Sequence, residues 1–421
     1  MRDVALLLIL FGLAALAWWR PWLGAVGLAV LGAMQPQAYG ASWMGQFPVY
    51  KLLFLVTCAA AAAQFWREKR RPALFWDWRF ALVALLAIDF YLTAVYGLLP
   101  YTSRDRWFEV MKLFLPWIPL FLLIDTREKL TVLIAATALC LALVAFKGGY
   151  WAVMTGFQDR VYGPPDSQIG GNNEFAVALA MTIPLLVFWR RQVRDRALRA
   201  FIVGLIVLCF IAALTSWSRG GLVALAAMTT LLVWHSRRKY LALPFLAVGV
   251  ALAFVNLPEK WHERMGTLAS YEQDQSFQGR VWAWERGLAY VRADPLTGVG
   301  LDGWKEVNVN VTRETPTALD WHSAYVEILV EHGVPGFILW MSLLLGTLAS
   351  LTALIWRGAR TGVAWARDAG AMLRASLVAY AVGGLTLGTA YWALLYLLLA
   401  FAILAGRLGA VEAPRPARAE T

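Results

Sequence analysis

Charge is what this chain has least of. Only 15% of its 421 residues are Asp, Glu, Lys or Arg, while 60% are hydrophobic and the mean hydropathy is positive. A water-soluble surface cannot be assembled from so few charges, which excludes a soluble globular protein and leaves a polytopic membrane protein. Cysteine is scarce as well. Cys58, Cys140 and Cys209 each lie inside an apolar run without Cys-x-x-Cys spacing, so neither a disulfide framework nor a thiolate metal site is indicated. Of the four histidines, His322 and His332 stand ten residues apart, too far along a helix to share a metal at i, i+4 spacing, and no His-Glu-x-x-His or Asp-x-Asp pair accompanies them. No metal and no cofactor are expected. The apolar start at Val4 lacks a small-residue cleavage site and reads as a retained membrane segment. There is no fixed-period repeat, and no low-complexity segment precedes the Pro/Ala/Arg tail after Ala410.

What is present is a succession of apolar runs near the length of roughly 20 residues that a helix needs to cross a bilayer. They lie near 51–66, 79–99, 109–124, 130–153, 174–189, 198–217, 220–235, 241–256, 325–356, 371–388 and 390–407. Residues 1–47 are open: Val4–Trp18 and Trp22–Met34, parted by Arg20-Pro21, fit two spans, one broken span or a re-entrant pair. The expectation is an all-α polytopic membrane protein with 12 or 13 transmembrane helices.

The net charge of +11 comes from short basic clusters between these runs. That is the pattern of cytoplasmic loops under the positive-inside rule, and no nucleic-acid partner is expected. Four regions follow. They are an N-terminal transmembrane bundle (1–256), a polar external segment (257–323), C-terminal transmembrane helices (324–408) and a disordered cytoplasmic tail (409–421). Inside the external segment, Ser276 through Ala293 reads as an amphipathic helix with Ser276 as its cap. Phe277, Val281, Trp284, Leu288 and Val291 form its apolar stripe, and Asp294-Pro295 stops it.

Arginines stand outside the basic clusters, on the side poorer in Lys and Arg. Arg160 lies in the loop Gln158-Asp159-Arg160-Val161-Tyr162, Arg219 interrupts Ser218-Arg219-Gly220-Gly221 between two spans, and Arg280 begins the external helix. A guanidinium pairs bidentately with phosphate oxygens and stays charged at any working pH. Arg160 fits either that role or a local pairing with Asp159, whereas Arg286, Arg292 and Arg313 read as local or headgroup-facing. An arginine at a hairpin tip, as at 219, is costly unless it faces a polar cavity. His322 is the candidate general base, and it equally fits a helix cap alongside Ser323 and Asp320. Glu327 and Glu331 share a helix face, where they orient a neighbour or pair with solvent. Asn172 and Asn173, at the top of the 174–189 span, fit sugar contacts or a cap.

His322-Ser323, then nine residues, Gly333, two residues and Gly336 resembles the signature of bacterial O-antigen ligases, H-[NSQ]-x9-G-x-x-G. The Ser218-Arg219-Gly220 turn is similar to the arginine turn of the same superfamily. Gly279-Arg280, Trp284 and Pro295 through Gly300 look like its external helix and turn. Arg160 through Pro164 and Gly171 through Ala176 are similar to a subgroup labelled exosortase-associated O-glycosylation ligase.

The resemblance implies a glycosyltransferase-C-like fold in the bacterial inner membrane, with its site on the periplasmic side. It implies transfer of a glycan from undecaprenyl pyrophosphate to a hydroxyl of the lipid A-core oligosaccharide in lipopolysaccharide biosynthesis. O-antigen polymerases and protein O-oligosaccharyltransferases share the architecture. On this reading His322 deprotonates the acceptor, while Arg219 and Arg280 clamp the pyrophosphate with help from Arg160. Tyr162, Asn172, Asn173 and Glu331 are expected to contact pyrophosphate or sugar. A transporter of the lipid-linked glycan is the rival from another class; it predicts ionisable groups near mid-span, whereas Asp89, Lys112 and Lys147 are the few candidates and lie mostly toward span ends.

Overall fold

A computed structural model describes residues 2–35, 47–69, 71–98, 100–236, 255, 257–266, 275–310 and 317–411. The expected span at 241–256 apart from Val255, the basic run Arg237-Arg238-Lys239, Arg313 and the side chain of Ser276 lie outside what is described. In chain order the helices are α1 Arg2–Trp19, α2 Pro21–Met34, α3 Val49–Arg67, α4 Trp78–Tyr96, α5 Pro100–Met111, α6 Trp117–Leu123, α7 Arg127–Met154, α8 Asn172–Gln192, α9 Arg196–Leu214, α10 Arg219–Trp234, α11 Glu259–Gly266, α12 Gln275–Ala293, α13 Trp304–Val307, α14 Ala324–Thr361, α15 Ala364–Gly383 and α16 Ala393–Val411. One antiparallel pair, β1 Val309–Asn310 with β2 Thr317–Ala318, interrupts an otherwise all-α chain.

Among the described residues seven helices are long and apolar enough to cross a membrane, and Leu6–Trp19, Pro21–Met34 and Arg219–Trp234 are shorter apolar helices. The protein is an all-α polytopic membrane protein. Residues 2–34 settle as a hairpin of α1 and α2. Pro21 opens α2 at its first position, where a missing amide costs nothing, and a Cβ on Gly24 would sit 2.6 Å from that of Ala17, so small residues let α1 and α2 close.

Two expected spans need correction. The run 109–124 is not one helix: a 3-10 turn at Lys112–Phe114 and Pro116 divide α5 from α6, because proline removes an amide and clashes with the preceding turn. Residues 100–108, expected as a loop, belong to α5. The run 371–388 ends as a helix at Gly383, and residues 384–392 form a loop before α16. The tail boundary at 409 also shifts, since α16 continues to Val411.

Local signals set the helix starts. Asp77, Thr126, Asp195 and Ser218 each accept a hydrogen bond from a first-turn amide of α4, α7, α9 and α10, a cap worth about 1 kcal/mol each. The centre of the bundle is α8 and α16. Both are apolar on nearly every face, as a helix surrounded by other helices must be: Phe175 through Leu186 and Leu394 through Ala405 are buried almost without exception. One hydrophobic core runs from Ala25 to Leu408, so the N-terminal and C-terminal helices share it.

Candidate active site

The signature region is built around a break in α14. Gly333 has φ 63° and ψ −168° inside that helix, a conformation essentially reserved for glycine. The break frees main-chain groups, and the external turn Pro295–Gly300 takes them. Val299 N donates to Val330 O (2.9 Å), Gly300 N to Glu331 O (3.0 Å), and Val334 N to Pro295 O (2.8 Å). A Cβ on Gly333 would lie 2.6 Å from Pro295 O. The turn also receives Leu98 N on Val299 O (2.9 Å) and Ser103 Oγ on Leu301 O (2.8 Å). Gly333 therefore lets this turn dock onto α14, and the turn also meets the end of α4.

His322 sits just before α14 with φ 47°, a left-handed backbone that is uncommon for any residue with a side chain. Trp321, fully buried beside it, is pinned at both ends. Its indole N–H donates to Glu331 Oε1 (3.1 Å), and its carbonyl accepts from Trp284 Nε1 of α12 (2.6 Å). The buried face of α12 is centred on Ala283, Gly287 and Val291, with Gly287 against the Trp321 ring; the expected stripe is half-buried at Phe277, Val281, Trp284 and Leu288 and buried at Val291. This docking carries Arg280, one turn earlier, to the neighbourhood of His322.

The His322 ring is partly exposed, with Nδ1 3.9 Å from Asp320 Oδ2. Burial lowers its pKa below the ordinary 6.5; Asp320 and Glu174 oppose that and Arg280 adds to it. Burial raises the Asp320 carboxyl, against the pull of His322. A neutral imidazole with one nitrogen toward a carboxylate and a cation close by is equipped to accept a proton.

Arg219 is the first residue of α10, behind the Ser218 cap. The 155–171 loop and the first residue of α8 are fastened to its turn. Val161 N donates to Thr215 O (3.0 Å), Asn172 Nδ2 to Ser216 O (2.8 Å), and the Arg160 guanidinium lies 5.1 Å from the centroid of the Trp217 ring. From the other side α11 reaches the same turn, with Arg264 Nε donating to Trp217 O (3.0 Å) and Trp261 Nε1 to Leu214 O (3.2 Å).

The Arg219 turn and the His322 segment meet at the 384–392 loop. A Cβ on Gly220 would collide with Thr386 Oγ1, and one on Gly388 would lie 2.7 Å from Asp320 Oδ2. Ala324 N donates to Gly384 O (2.8 Å), Ala390 N to Glu327 Oε2 (2.9 Å), and Ala393 N to Gln168 Oε1 (3.0 Å). The loop is thus the seat of the site. The sequence reading passed over it because Leu385, Leu387, Ala390, Tyr391 and Trp392 look like the end of one span and the start of the next.

Glu331 is buried and both its oxygens are occupied, by Trp321 and by the Tyr391 hydroxyl (2.8 Å), so it lies beneath the site. Asn172 spends its amide on Ser216 O, Asn173 is half-buried in the first turn of α8, and Tyr162 is exposed. Arg286 donates to Val307 O (2.9 Å) and covers the Trp282 ring, the local role expected of it.

Two residues outside the expected set join the neighbourhood. His332 is buried between Thr93 Oγ1 (2.6 Å to Nδ1) and Tyr391 OH (2.7 Å to Nε2) and stacks on Phe90. Arg106 of α5 has its Nε 3.6 Å from Asp302 Oδ1 and its guanidinium facing Tyr391. The rule that singled out Arg160, Arg219 and Arg280 applies equally to Arg106. Among the described residues no group of three or more His, Cys, Asp or Glu side chains is placed to hold a metal ion.

Comparison with known families adds two matches. Residues 204–341, which hold the Arg219 turn, α12, the docking turn, His322 and both motif glycines, match the model of a family described as O-antigen ligase. Residues 1–193 match the model of a family of unknown function. No curated protein matches the chain.

Proposed function

Because the chain belongs to the O-antigen ligase superfamily through residues 204–341, we propose that it transfers a glycan from undecaprenyl pyrophosphate to a hydroxyl of the lipid A-core oligosaccharide, on the periplasmic face of the inner membrane. The observation that carries this reading is the convergence of His322, Asp320 and Arg280 with the Arg219 turn across the 384–392 loop.

In the proposed step the acceptor oxygen attacks the anomeric carbon as the bond from that carbon to the pyrophosphate oxygen breaks. The acceptor proton goes to His322; Nδ1 faces Asp320, which leaves Nε2 as the receiving atom. Undecaprenyl pyrophosphate departs with the bonding electrons, and Arg219 and Arg280, assisted by Arg160, stabilise the charge that gathers on it. A single in-line displacement inverts the anomeric centre. Arginine stays protonated, so the base is His322, and the step is written without a metal. The N-terminal resemblance to exosortase-associated ligases bears on the acceptor and leaves this chemistry unchanged.

The test is a transfer assay with purified protein, undecaprenyl-pyrophosphate glycan and lipid A-core, with and without EDTA, run beside His322→Ala and Arg219→Lys. Product is expected to survive EDTA, to vanish in His322→Ala and to fall by at least about tenfold in Arg219→Lys, since an ammonium cannot reproduce the guanidinium fork. Growth of the lipid-linked glycan in place of lipid A-core labelling assigns a polymerase, and labelling of protein assigns an O-oligosaccharyltransferase. Movement of the donor with no product assigns a transporter.

A further inference from the structure

The opposite end of the bundle, where α4 begins and α16 ends, carries a second site. Asp77, Arg79, Ser350, Arg357, Arg407 and Phe75 line a cavity of roughly 370 Å³ there. Arg79 is 3% exposed and binds Asp77 with two hydrogen bonds of 2.7 Å, through Nε and Nη2, while its buried Nη1 has no partner. That pair is neutral as a unit, which leaves the charges of Arg357 and Arg407. Arg407 places its guanidinium on main-chain carbonyls of Ala73 (3.2 Å) and Phe121 (3.5 Å) and over the Phe75 ring at 4.1 Å, none of which carries a charge; the acid that acts on it, Asp125, is paired with Lys129 at 2.6 Å and stands outside the cavity lining.

Phe75 is also a wall of an adjoining groove of roughly 380 Å³, formed with Leu74, Phe80, Trp117, Phe121 and Leu122 and apolar almost throughout. A cationic pocket with an unsatisfied guanidinium N–H, sharing its Phe75 wall with an apolar groove on a membrane-spanning bundle, matches the two halves of one molecule. We propose that it binds an anionic phospholipid, the phosphate held by Arg79, Arg357 and Arg407 and one acyl chain lying along Phe75, Phe80 and Phe121. Guanidinium contact holds the phosphate, the net positive charge of the pocket disfavours a headgroup that carries its own cation and so supplies the selectivity, and burial of methylenes in the groove supplies affinity that a free phosphate lacks. The site is remote from His322 and stands independently of the transfer reaction.

Native mass spectrometry of the full chain in detergent tests it, with phosphatidylglycerol and phosphatidylcholine of identical acyl chains and with inorganic phosphate as competitor. The wild type is expected to retain one phosphatidylglycerol at about tenfold lower lipid concentration than phosphatidylcholine, and Arg357→Gln/Arg407→Gln to abolish that preference. Leu122→Trp, which fills the groove and leaves every charge in place, is expected to weaken phosphatidylglycerol retention, and it keeps the test decisive if the double variant fails to fold. Equal retention of the two lipids by the wild type, or full retention by folded variants, overturns the proposal. Displacement of the lipid by inorganic phosphate reassigns the pocket to a free anion and overturns the lipid assignment.

Discussion

His322 gains its properties from three side chains that do not neighbour it in one element: Asp320 in its own segment, Arg280 on α12 and Glu174 at the start of α8. Removing the Asp320 charge takes away a carboxylate that favours the imidazolium. The imidazole pKa, already below 6.5, then falls further. In Asp320→Asn the acidic limb of the pH–rate profile is therefore expected to move to lower pH, with a reduced plateau because a weaker base accepts the proton. A limb that moves upward or stays put contradicts the electrostatic role.

Beneath His322, Tyr391 donates to Glu331 Oε2 and meets His332 Nε2. With Tyr391 donating to Glu331, His332 meets the Tyr391 oxygen through Nε2 and the Thr93 hydroxyl through Nδ1. Tyr391→Phe leaves two buried polar atoms unpaired and is expected to lower stability by about 1–3 kcal/mol, read as a lower unfolding temperature in detergent. The four residues lie on α4, on α14 and in the 384–392 loop, and no local pattern announces that they meet.

At the scale of elements, the break in α14 explains why a histidine and two glycines occur at fixed distance. Residues 324–332 are helix, so their number sets how far His322 stands from Gly333, and Gly333 is where Pro295–Gly300 plugs in. Gly336 has a separate duty: a Cβ there would lie 2.5 Å from Asp89 Oδ2, so its absence lets α14 close on α4. Gly333→Ala combines a glycine-only backbone with a collision on Pro295 O and is expected to cost about 1–3 kcal/mol or more. Transfer activity should fall with it, because the displaced turn carries α12 and Arg280. Limited proteolysis between 294 and 303 reports the displacement directly: cleavage unchanged from wild type would show that the turn docks without the glycine.

At the scale of the molecule, α15 and α16 are the last helices in the chain and yet pack against α8, α10, α7 and α2 in a shared core. A chain ending after residue 363 removes the centre of the bundle and the seat of the site together. Its remaining helices would expose faces shaped to fit other helices, and in membranes it is such packing that holds helices together. The truncated chain is expected to elute as aggregate on size exclusion in detergent, where the full chain elutes as one species.

The sequence by itself determined the class of the protein, the position of most apolar helices and the helix α12, and it offered His322, Arg219 and Arg280 as candidates for the site. Each of these is legible in hydropathy, charge asymmetry or a short spacing, which are local quantities. Tertiary structure alone decided that Glu331 supports the site from below, that 384–392 is a loop, that α5 and α6 are a broken pair, and that Arg106 and His332 join the neighbourhood. Those outcomes depend on contacts between residues as far apart as Thr93 and His332, and on proline and glycine breaks whose consequences appear only when another segment fills them.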